Sequence, residues 1–370
     1  MADVSWKGWM LPETASVKPE VIGQVSGIAA SFVAAGKQKH HKNMNQLAPI
    51  GICTYSRLDK LKLTIDALKR NTLATDSELH IFSDGPRKGD EEKVGKLRGY
   101  LETVDGFKKV VLNLPAENNQ FQNTHMAHRN LTEMYGRSIF MEDDNITSPH
   151  FLEYMNKALA FYKDNRRVFS IGGYAPHGVF DKKASADVFF SRMFCPWGVG
   201  IWAESFQLFG DINWGEVFER EADNQRLIAE LSYLGKHLSK RFKRWRDKGM
   251  KADQYHLAGD LLMTITMIKN RMFTVVPAKS LVKNIGLDES GLHSGVHDVR
   301  FDVPVDPNFV PKQFTAEAVA SRRLCDEQYI LNSYSKKQKS AIRFYYLLIR
   351  EIKIRFSRSL GSSDAFLKSH

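Results

Sequence analysis

The feature that most constrains the fold is a regular alternation of short apolar runs and longer amphipathic stretches, which begins at Ala48. The short runs have the length and side-chain pattern of strands, and the longer stretches have the apolar spacing of helices. Strands that alternate with helices in this way favour a parallel sheet with helices on both faces, and so predict an α/β fold. In chain order, the predicted elements are strand 49–54, helix 58–70, strand 79–83, helix 91–104, strand 109–114, helix 124–135 and strand 138–141.

The second half of the chain is less regular. Its pattern predicts a helix over 151–163, a strand over 167–173, a helix over 260–270 and a strand over 272–276. A helical stretch is expected to run from Ala222 through a basic segment. An aromatic and glycine-rich cluster occupies 196–202, and its segment 196–198 (PWG) is interpreted as a tight turn.

Composition indicates an ordinary soluble globular protein. Of its 370 residues, 43% are hydrophobic and 26% are charged. Cys53, Cys195 and Cys325 are few and far apart, which indicates neither a disulfide framework nor a zinc site and makes a reducing cytoplasm the default expectation. We find no pattern of a signal peptide or a transmembrane helix in the sequence.

The net charge of +11 is unevenly placed. Segments 236–251 and 336–358 each carry eight Lys/Arg and one acidic residue, net +7 each, so the remainder of the chain has +11 − 14 = −3. In 336–358, apolar residues recur at helical spacing among the cations. This segment could lie as an amphipathic helix on an anionic bilayer, or pack against the body with its charges in solvent; both interpretations remain open.

Polar side chains follow three of the predicted strands: 54–57 (TYSR), 83–85 (SDG) and 142–144 (EDD). In open α/β sheets, ligands gather beyond the carboxyl ends of the strands. Three consecutive carboxylates at one strand end need a cation, and hard oxygen ligands suit Mg²⁺ or Mn²⁺ that holds a diphosphate. The alternative is a solvated acidic turn that caps a helix starting near Ser148 and Pro149.

In this order, the motifs resemble those of nucleotide-sugar glycosyltransferases of the GT-A fold, in particular bacterial polysaccharide enzymes related to family 2 and the N-acetylglucosaminyltransferase I group. The resemblance covers roughly residues 48–300. The fold that it implies is Rossmann-like, with a mostly parallel sheet flanked by helices. The motifs that carry it are PIGICTYSR at 49–57, IFSDG at 81–85, FMEDDN at 140–145, PHFLEYM at 149–155, PWG at 196–198, SLVKNIG at 280–286 and GLH at 291–293.

The resemblance assigns roles to individual residues. It implies that Asp144 binds a divalent metal, and that His293, in a glycine-rich loop, reaches the metal or the diphosphate once the donor is bound. It implies acceptor contacts for Trp197 and Gly198. Nucleotide-sugar contacts are implied for Thr54, Tyr55, Arg57, Asp84, Glu142 and Asp143.

An inverting transfer needs a carboxylate that takes the proton from the acceptor hydroxyl. Asp260, at the start of an apolar helix, stands where the related enzymes place that acid, so the resemblance implies that it is the catalytic base. The alternative is an Asp that caps the helix, in which case Asp253 or Glu204 would be the base. His297 is the alternative to His293 as a metal ligand.

The resemblance also implies a domain plan. A glycosyltransferase domain would span 47–305, with a nucleotide-sugar half at 47–175 and an acceptor half at 176–305. Helical extensions would occupy 1–46 and 306–370. The expected donor is a UDP-sugar, and the expected acceptor is a glycan or lipid-linked molecule in surface polysaccharide or glycoconjugate synthesis, at the inner face of the membrane if 336–358 binds lipid.

Two other functions compete with this one. A nucleotidyltransferase that makes a nucleotide sugar would also use a Rossmann-like half and acidic metal ligands, but it usually needs a glycine-rich phosphate loop, and the sequence 54–59 (TYSRLD) contains no glycine. A nucleic-acid-binding protein would use the basic segment 236–251, with Phe242 and Trp245 as stacking groups. Such a segment can equally be the solvated face of a helix, and we expect nucleic acid not to be a partner.

Overall fold

A computed structural model of the chain describes residues 46–176, 187–210, 217, 221, 224–247, 259–286 and 301–317. The extension predicted for 1–46, apart from Gln46, lies outside the described residues, as does the C-terminal extension beyond 317. Within the described ranges, none of the helices is both long and apolar enough to cross a membrane.

The described residues build one eight-stranded sheet with the strand order β3-β2-β1-β4-β8-β6-β9-β7, and a separate two-stranded ribbon of β5 and β10. Four of the seven pairings in the large sheet are parallel, and the three that involve β7 or β8 are antiparallel. The strands are β1 (Ile50–Thr54), β2 (Glu78–Ser83), β3 (Lys109–Asn113), β4 (Arg137–Glu142), β5 (Asn145–Thr147), β6 (Val168–Gly172), β7 (Val188–Ser191), β8 (Val199–Trp202), β9 (Phe273–Pro277) and β10 (Val282–Asn284).

Within the part of the chain that the structure describes, eight α-helices connect or follow these strands. The strands and helices predicted between 49 and 173 are confirmed to within a few residues at their ends, and the α/β fold with a mostly parallel sheet is confirmed. The helices are α1 (Leu58–Lys69), α2 (Glu91–Leu101), α3 (Gln120–Tyr135), α4 (Phe151–Phe161), α5 (Ala203–Gly210), α6 (Gln225–Leu234), α7 (Lys236–Asp247) and α8 (Gly259–Lys269).

Helices cover both faces of the sheet, as the alternation along β4 shows. Ile139 and Met141 point into the larger core cluster, which contains apolar residues of α1, α2 and α4. Phe140, between them, points into a second cluster with residues of α3, α5 and α8. This period-two alternation buries both faces, which is why the strands read as continuous apolar runs.

The prediction of one helix from Ala222 through the basic segment is wrong. Gly235 separates α6 from α7, and its amide donates to the carbonyl of Leu231 at 3.0 Å as the cap of α6. Glycine is a poor helix former and ends helices readily, so the glycine should have been interpreted as a break.

β8 was not predicted from the sequence; it lies in the aromatic and glycine-rich cluster at 196–202. Gly198 has φ +64°, a conformation that favours glycine. At Gly200, within the strand, an added Cβ would lie 3.1–3.2 Å from side-chain atoms of Leu159. Glycine is therefore present here because α4 approaches the sheet closely.

One sheet runs through both predicted halves. β8 pairs with β4 and β6, and β9 pairs with β6, so strands of the predicted acceptor half join strands of the predicted nucleotide-sugar half. Part of the chain assigned to the C-terminal extension also packs on this body. The rings of Phe309 and Phe314 contact the larger core cluster, and the Tyr162 hydroxyl donates to the carbonyl of Thr315 at 2.7 Å.

Candidate functional site

The carboxyl ends of β1, β2 and β4 meet at one edge of the sheet. Cys53 of β1 pairs with Glu142 of β4, and Thr54 pairs with Ser83 of β2. The three polar segments that follow these strands are therefore neighbours, as the sequence predicts. The Asp84 amide, for example, donates to the carbonyl of Thr54 at 3.0 Å.

Arg57 connects the two aspartates of the acidic triplet. Its Nη2 contacts Oδ1 of Asp143 and lies 2.8 Å from Oδ2 of Asp144. The hydroxyl of Thr54 donates to the other oxygen of Asp143 at 2.8 Å, and the hydroxyl of Thr64 donates to its carbonyl at 2.9 Å. Arg57 can reach both carboxylates because it directly precedes α1, at the end of the loop that leaves β1.

Asp144 is held by its neighbour in sequence, Asn145, and by Asn284, which is 140 positions away. The short ribbon places Asn284 of β10 opposite Asn145 of β5, and both side-chain amides donate to Oδ1 of Asp144, at 2.8 and 3.0 Å. At Gly286, an added Cβ would lie 2.0 Å from Oδ2 of Asp144. The sequence analysis included Asn284 and Gly286 in a family motif but gave them no role.

The triplet carries more negative charge than the described protein neutralises locally. Burial, together with the charges of Asp144 and Asp143, raises the pKa of Glu142 to about 8. Burial also raises the pKa values of Asp143 and Asp144, and Arg57 opposes that shift. Three carboxylates therefore share one arginine in a buried place, which is an arrangement that attracts a further cation.

The donor atoms suit a divalent metal that takes most of its ligands from a substrate. Within the described ranges, no group of three or more His, Cys, Asp or Glu side chains is arranged to hold a metal ion by itself. Mg²⁺ typically binds one or two carboxylates and completes its shell with phosphate oxygens and water. Oδ2 of Asp144, whose protein contact is Arg57, can supply such a carboxylate ligand. The residues present thus fit a metal held jointly with a diphosphate.

Asp84 and Tyr55 fasten loops at the same edge. Oδ1 of Asp84 accepts hydrogen bonds from the amides of Gly85 and Asn119, at 2.9 and 2.8 Å, and Oδ2 accepts one from the side chain of Asn118 at 2.9 Å. The Tyr55 hydroxyl donates to Oδ2 of Asp90 at 2.8 Å and accepts from the Arg87 amide at 2.9 Å. Both residues thereby hold the loops that follow β1 and β2, and their predicted contacts with the nucleotide remain predictions.

Asp260 lies in the first turn of α8, near the acidic triplet. Its charge contributes to the raised pKa of Glu142, and both groups act on the buried thiol of Cys195, whose pKa is raised mainly by burial. Nη1 of Arg241 donates to Oδ2 of Asp260 at 2.9 Å. The sequence analysis missed this partner, because Arg241 looked like one of many cations in the basic segment.

Trp197 and Gly198 precede β8. The Trp197 ring makes edge-to-face contacts with Tyr174 and Phe301, at centroid distances of 4.8 and 5.8 Å, and packs against the larger core cluster. A Cβ on Gly198 would lie 2.8 Å from a methyl of Val282. Trp202 is 8% exposed and belongs to the core. The acceptor contacts of Trp197 and Gly198 stay predictions.

Several predicted residues lie outside the described ranges: His293, His297, Asp253 and the membrane-binding segment 336–358. Glu204, the other substitute base, is an exposed residue in the first turn of α5.

The structure contradicts one part of the nucleic-acid interpretation. Phe242 is fully buried among residues of α6 and α8, including Leu231 and Leu261. Its ring cannot stack on a base without unfolding that cluster. On α7, Lys240, Lys243 and Arg244 are exposed on the opposite face, which is the pattern of a helix that docks through one apolar face.

No family model matches this chain, and no curated protein matches its sequence. Among solved structures, it is similar to TarS of S. aureus, with 13% identity and a TM-score of 0.36 over 64% of this chain and 36% of that one. It is also similar to the structure of TarS 1–349, with 11% identity and a TM-score of 0.37 over 64% of this chain and 60% of that one.

A third similar structure is the mannosyltransferase PcManGT from Pyrobaculum calidifontis, in complex with GDP-Man and Mn²⁺. It has 11% identity and a TM-score of 0.32, over 51% of this chain and 58% of that one. The matches thus span between 36% and 60% of the lengths of these solved chains. The function proposed below rests on this chain's own residues.

Proposed function

We propose that this chain is a divalent-metal-dependent glycosyltransferase of the GT-A fold. It transfers a hexose or N-acetylhexosamine from a nucleotide sugar to an acceptor hydroxyl, with inversion. The observation that carries the proposal is the acidic triplet at the carboxyl end of β4, in which three carboxylates share Arg57.

The location of this triplet supports a nucleotide-sugar site. It lies at the edge of the sheet where β1, β2 and β4 all end, which is the edge where α/β proteins bind ligands. A solvated acidic turn, the alternative, does not explain the burial: Asp143 and Asp144 are only 4% and 5% exposed. A buried cluster of three carboxylates that shares a single arginine costs stability, and such clusters are typical of functional sites.

The residues around the acidic triplet would have separate roles in this reaction. Asp144 would hold the metal, with its carboxylate oriented by Asn145 and Asn284. Thr54 and Arg57 would keep Asp143 in place beside it. The metal would act as a Lewis acid that neutralises charge on the departing nucleoside diphosphate.

Asp260 would take the proton from the acceptor hydroxyl. The charge of Asp260 contributes to the raised pKa of Glu142, which supports a position near the proposed metal ligand. Arg241, whose Nη1 donates to Oδ2 of Asp260 at 2.9 Å, would orient this carboxylate.

The finer parts of the proposal come from the family resemblance. These are a UDP-sugar as donor, Mn²⁺ or Mg²⁺ as metal, His293 as a further metal ligand and Trp197 with Gly198 at the acceptor. They also include a glycan or lipid-linked acceptor in surface polysaccharide synthesis and a location at the cytoplasmic face of a membrane.

The decisive experiment measures release of nucleoside diphosphate from a panel of nucleotide sugars, with Mn²⁺, Mg²⁺ or chelator. We expect turnover of one donor that requires metal. Asp144→Asn should reduce it by about a hundredfold or more, because a metal supplies several kcal/mol to such a step.

The matched control is Asp164→Asn, which removes a carboxylate that is 88% exposed and should leave turnover unchanged. Turnover that survives both chelator and Asp144→Asn would reject the metal-dependent mechanism. Failure of the wild-type protein to bind any nucleotide sugar in the presence of metal would reject the transferase itself.

A further inference from the structure

Arg57 occupies the side of Asp144 that a metal ion would need. We propose that Arg57 is a built-in competitor of the divalent cation, a counter-charge that holds the acidic triplet together before metal and donor bind. The inference rests on the proposed function, and it adds a determinant of metal affinity within the same site.

The hydrogen bonds of Asp144 show why the two cations compete. Its Oδ1 already accepts from the side-chain amides of Asn145 and Asn284, at 3.0 and 2.8 Å. Its Oδ2 faces Nη2 of Arg57 at 2.8 Å. A metal bound through Oδ2 would therefore displace Nη2 of Arg57 from that oxygen, because two positive charges cannot share one carboxylate oxygen at that distance without strong repulsion.

The backbone opposite Oδ2 is also built for close approach. A Cβ on Gly286 would lie 2.0 Å from Oδ2 of Asp144 and 2.9 Å from Nη1 of Arg57. The Gly286 amide instead donates to Oδ1 of Asn284 at 2.8 Å, which fixes the loop beside the carboxylate. Glycine at this position leaves the carboxylate and the cation in direct contact with the loop.

Arg57 can release Asp144 without leaving the site. Its Nη2 also contacts Oδ1 of Asp143, and Asp143 is held independently by the Thr54 hydroxyl at 2.8 Å. A metal at Asp144 would therefore leave Arg57 paired with Asp143, with part of its guanidinium freed for an anionic group. The diphosphate of a donor is the anion that the proposed reaction brings there.

The test is calorimetric titration of the full chain with Mn²⁺ alone, in the absence of nucleotide sugar. Arg57→Gln should bind Mn²⁺ at least about tenfold more tightly than wild type, equal to about 1.4 kcal/mol. Adding Asp144→Asn to that variant should abolish the gain. The matched control, Arg129→Gln, removes an arginine paired with the exposed Glu133 and should leave Mn²⁺ affinity unchanged.

Unchanged or weaker Mn²⁺ binding by Arg57→Gln would overturn the inference, because Arg57 would then position the metal ligands rather than compete with the metal. Arg57→Lys covers the case in which the glutamine variant does not fold. Its ammonium is a point charge that cannot form the planar guanidinium contacts with both carboxylates. We therefore expect a smaller gain in Mn²⁺ affinity than for glutamine, and no gain would also overturn the proposal.

Thermal unfolding gives a second measurement. Without metal, Arg57→Gln should be less stable than wild type, since it leaves two buried carboxylates unpaired, and saturating Mn²⁺ should raise its Tm by more than that of wild type. Tighter Mn²⁺ binding by the variant, without turnover of any nucleotide sugar by wild type, would reject the transferase function and leave the competition standing. Metal-dependent turnover by wild type, with an unchanged Mn²⁺ affinity of Arg57→Gln, would support the transferase function and reject the competition.

Discussion

Substitution of Gly286 by alanine tests the geometry of the site with a single added methyl group. The new Cβ would lie 2.0 Å from Oδ2 and 2.8 Å from Cγ of Asp144, and 2.9 Å from Nη1 of Arg57. All three distances are below the closest approach that a Cβ normally makes, so the carboxylate, the arginine or the loop must move. The loop is the least free to move, because the Gly286 amide bonds to Asn284 and the Ile285 amide donates to the carbonyl of Asp144 at 2.8 Å.

The expected displacement of the Asp144 carboxylate is on the order of 1 Å, which costs about a hundredfold in rate when the displaced group must be oriented for reaction. Overpacking adds a stability cost of about 1–3 kcal/mol. The effect on activity should therefore be larger than the effect on folding. We expect kcat/KM for nucleoside diphosphate release to fall about a hundredfold at a temperature where the variant remains folded.

Gly99→Ala is the matched control. Gly99 lies within α2 and has no neighbour within 4 Å of an added Cβ, so alanine should stabilise that helix by about 0.5–1 kcal/mol and leave activity unchanged. Activity of Gly286→Ala within a factor of three of wild type, a threshold of about 0.7 kcal/mol, would show that the Asp144 carboxylate as placed here is not part of the reacting site.

Three further predictions concern Glu142, Phe242 and Asp260. The pKa of Glu142 is about 8 in the folded chain, against 4.5 for an ordinary glutamate, so the folded state holds this proton more tightly than the unfolded state and loses stability as the pH rises from about 4.5 to about 8. In chelator, the Tm of Glu142→Gln should therefore fall less between pH 5 and pH 8 than that of wild type, and an equal fall would contradict the assignment. Phe242→Ala should lower the free energy of unfolding in urea by about 3–5 kcal/mol, because the ring is fully buried, while Lys243→Ala, at the exposed neighbour, should change it by no more than about 0.5 kcal/mol. A Phe242→Ala variant as stable as wild type would restore the base-stacking interpretation. Asp260→Asn should reduce kcat for sugar transfer by about 10²- to 10⁴-fold, as expected for loss of a general base, with Mn²⁺ affinity preserved; Arg241→Gln should have a smaller effect, and transfer that is unaffected by Asp260→Asn would assign the base elsewhere.

The sequence alone determined the first half of the fold. Apolar runs such as 79–83 and the helical spacing of 58–70 are local signals, and the structure confirms the elements that they predict. The site edge was predictable for the same reason. Polar residues directly after consecutive strands must meet if those strands are parallel, and the register of β1 with β2 and β4 brings them together.

Where the sequence failed, the cause was packing between distant segments. β8 lies antiparallel between β4 and β6, and its glycine at 200 reflects the approach of Leu159 rather than a turn. Likewise, Phe242 looked like a stacking group in a basic segment, but the apolar residues of α6 and α8 bury it.

The acidic triplet could be recognised from the local sequence, since Glu142, Asp143 and Asp144 are adjacent. Its environment was decided only by the tertiary structure. Asn284 reaches Asp144 across 140 positions through the pairing of β10 with β5, and no local propensity encodes a contact of that separation. Local sequence thus determined which charged groups lie at the strand ends. Tertiary contacts between distant segments determined their burial, their partners and therefore their affinity for a cation.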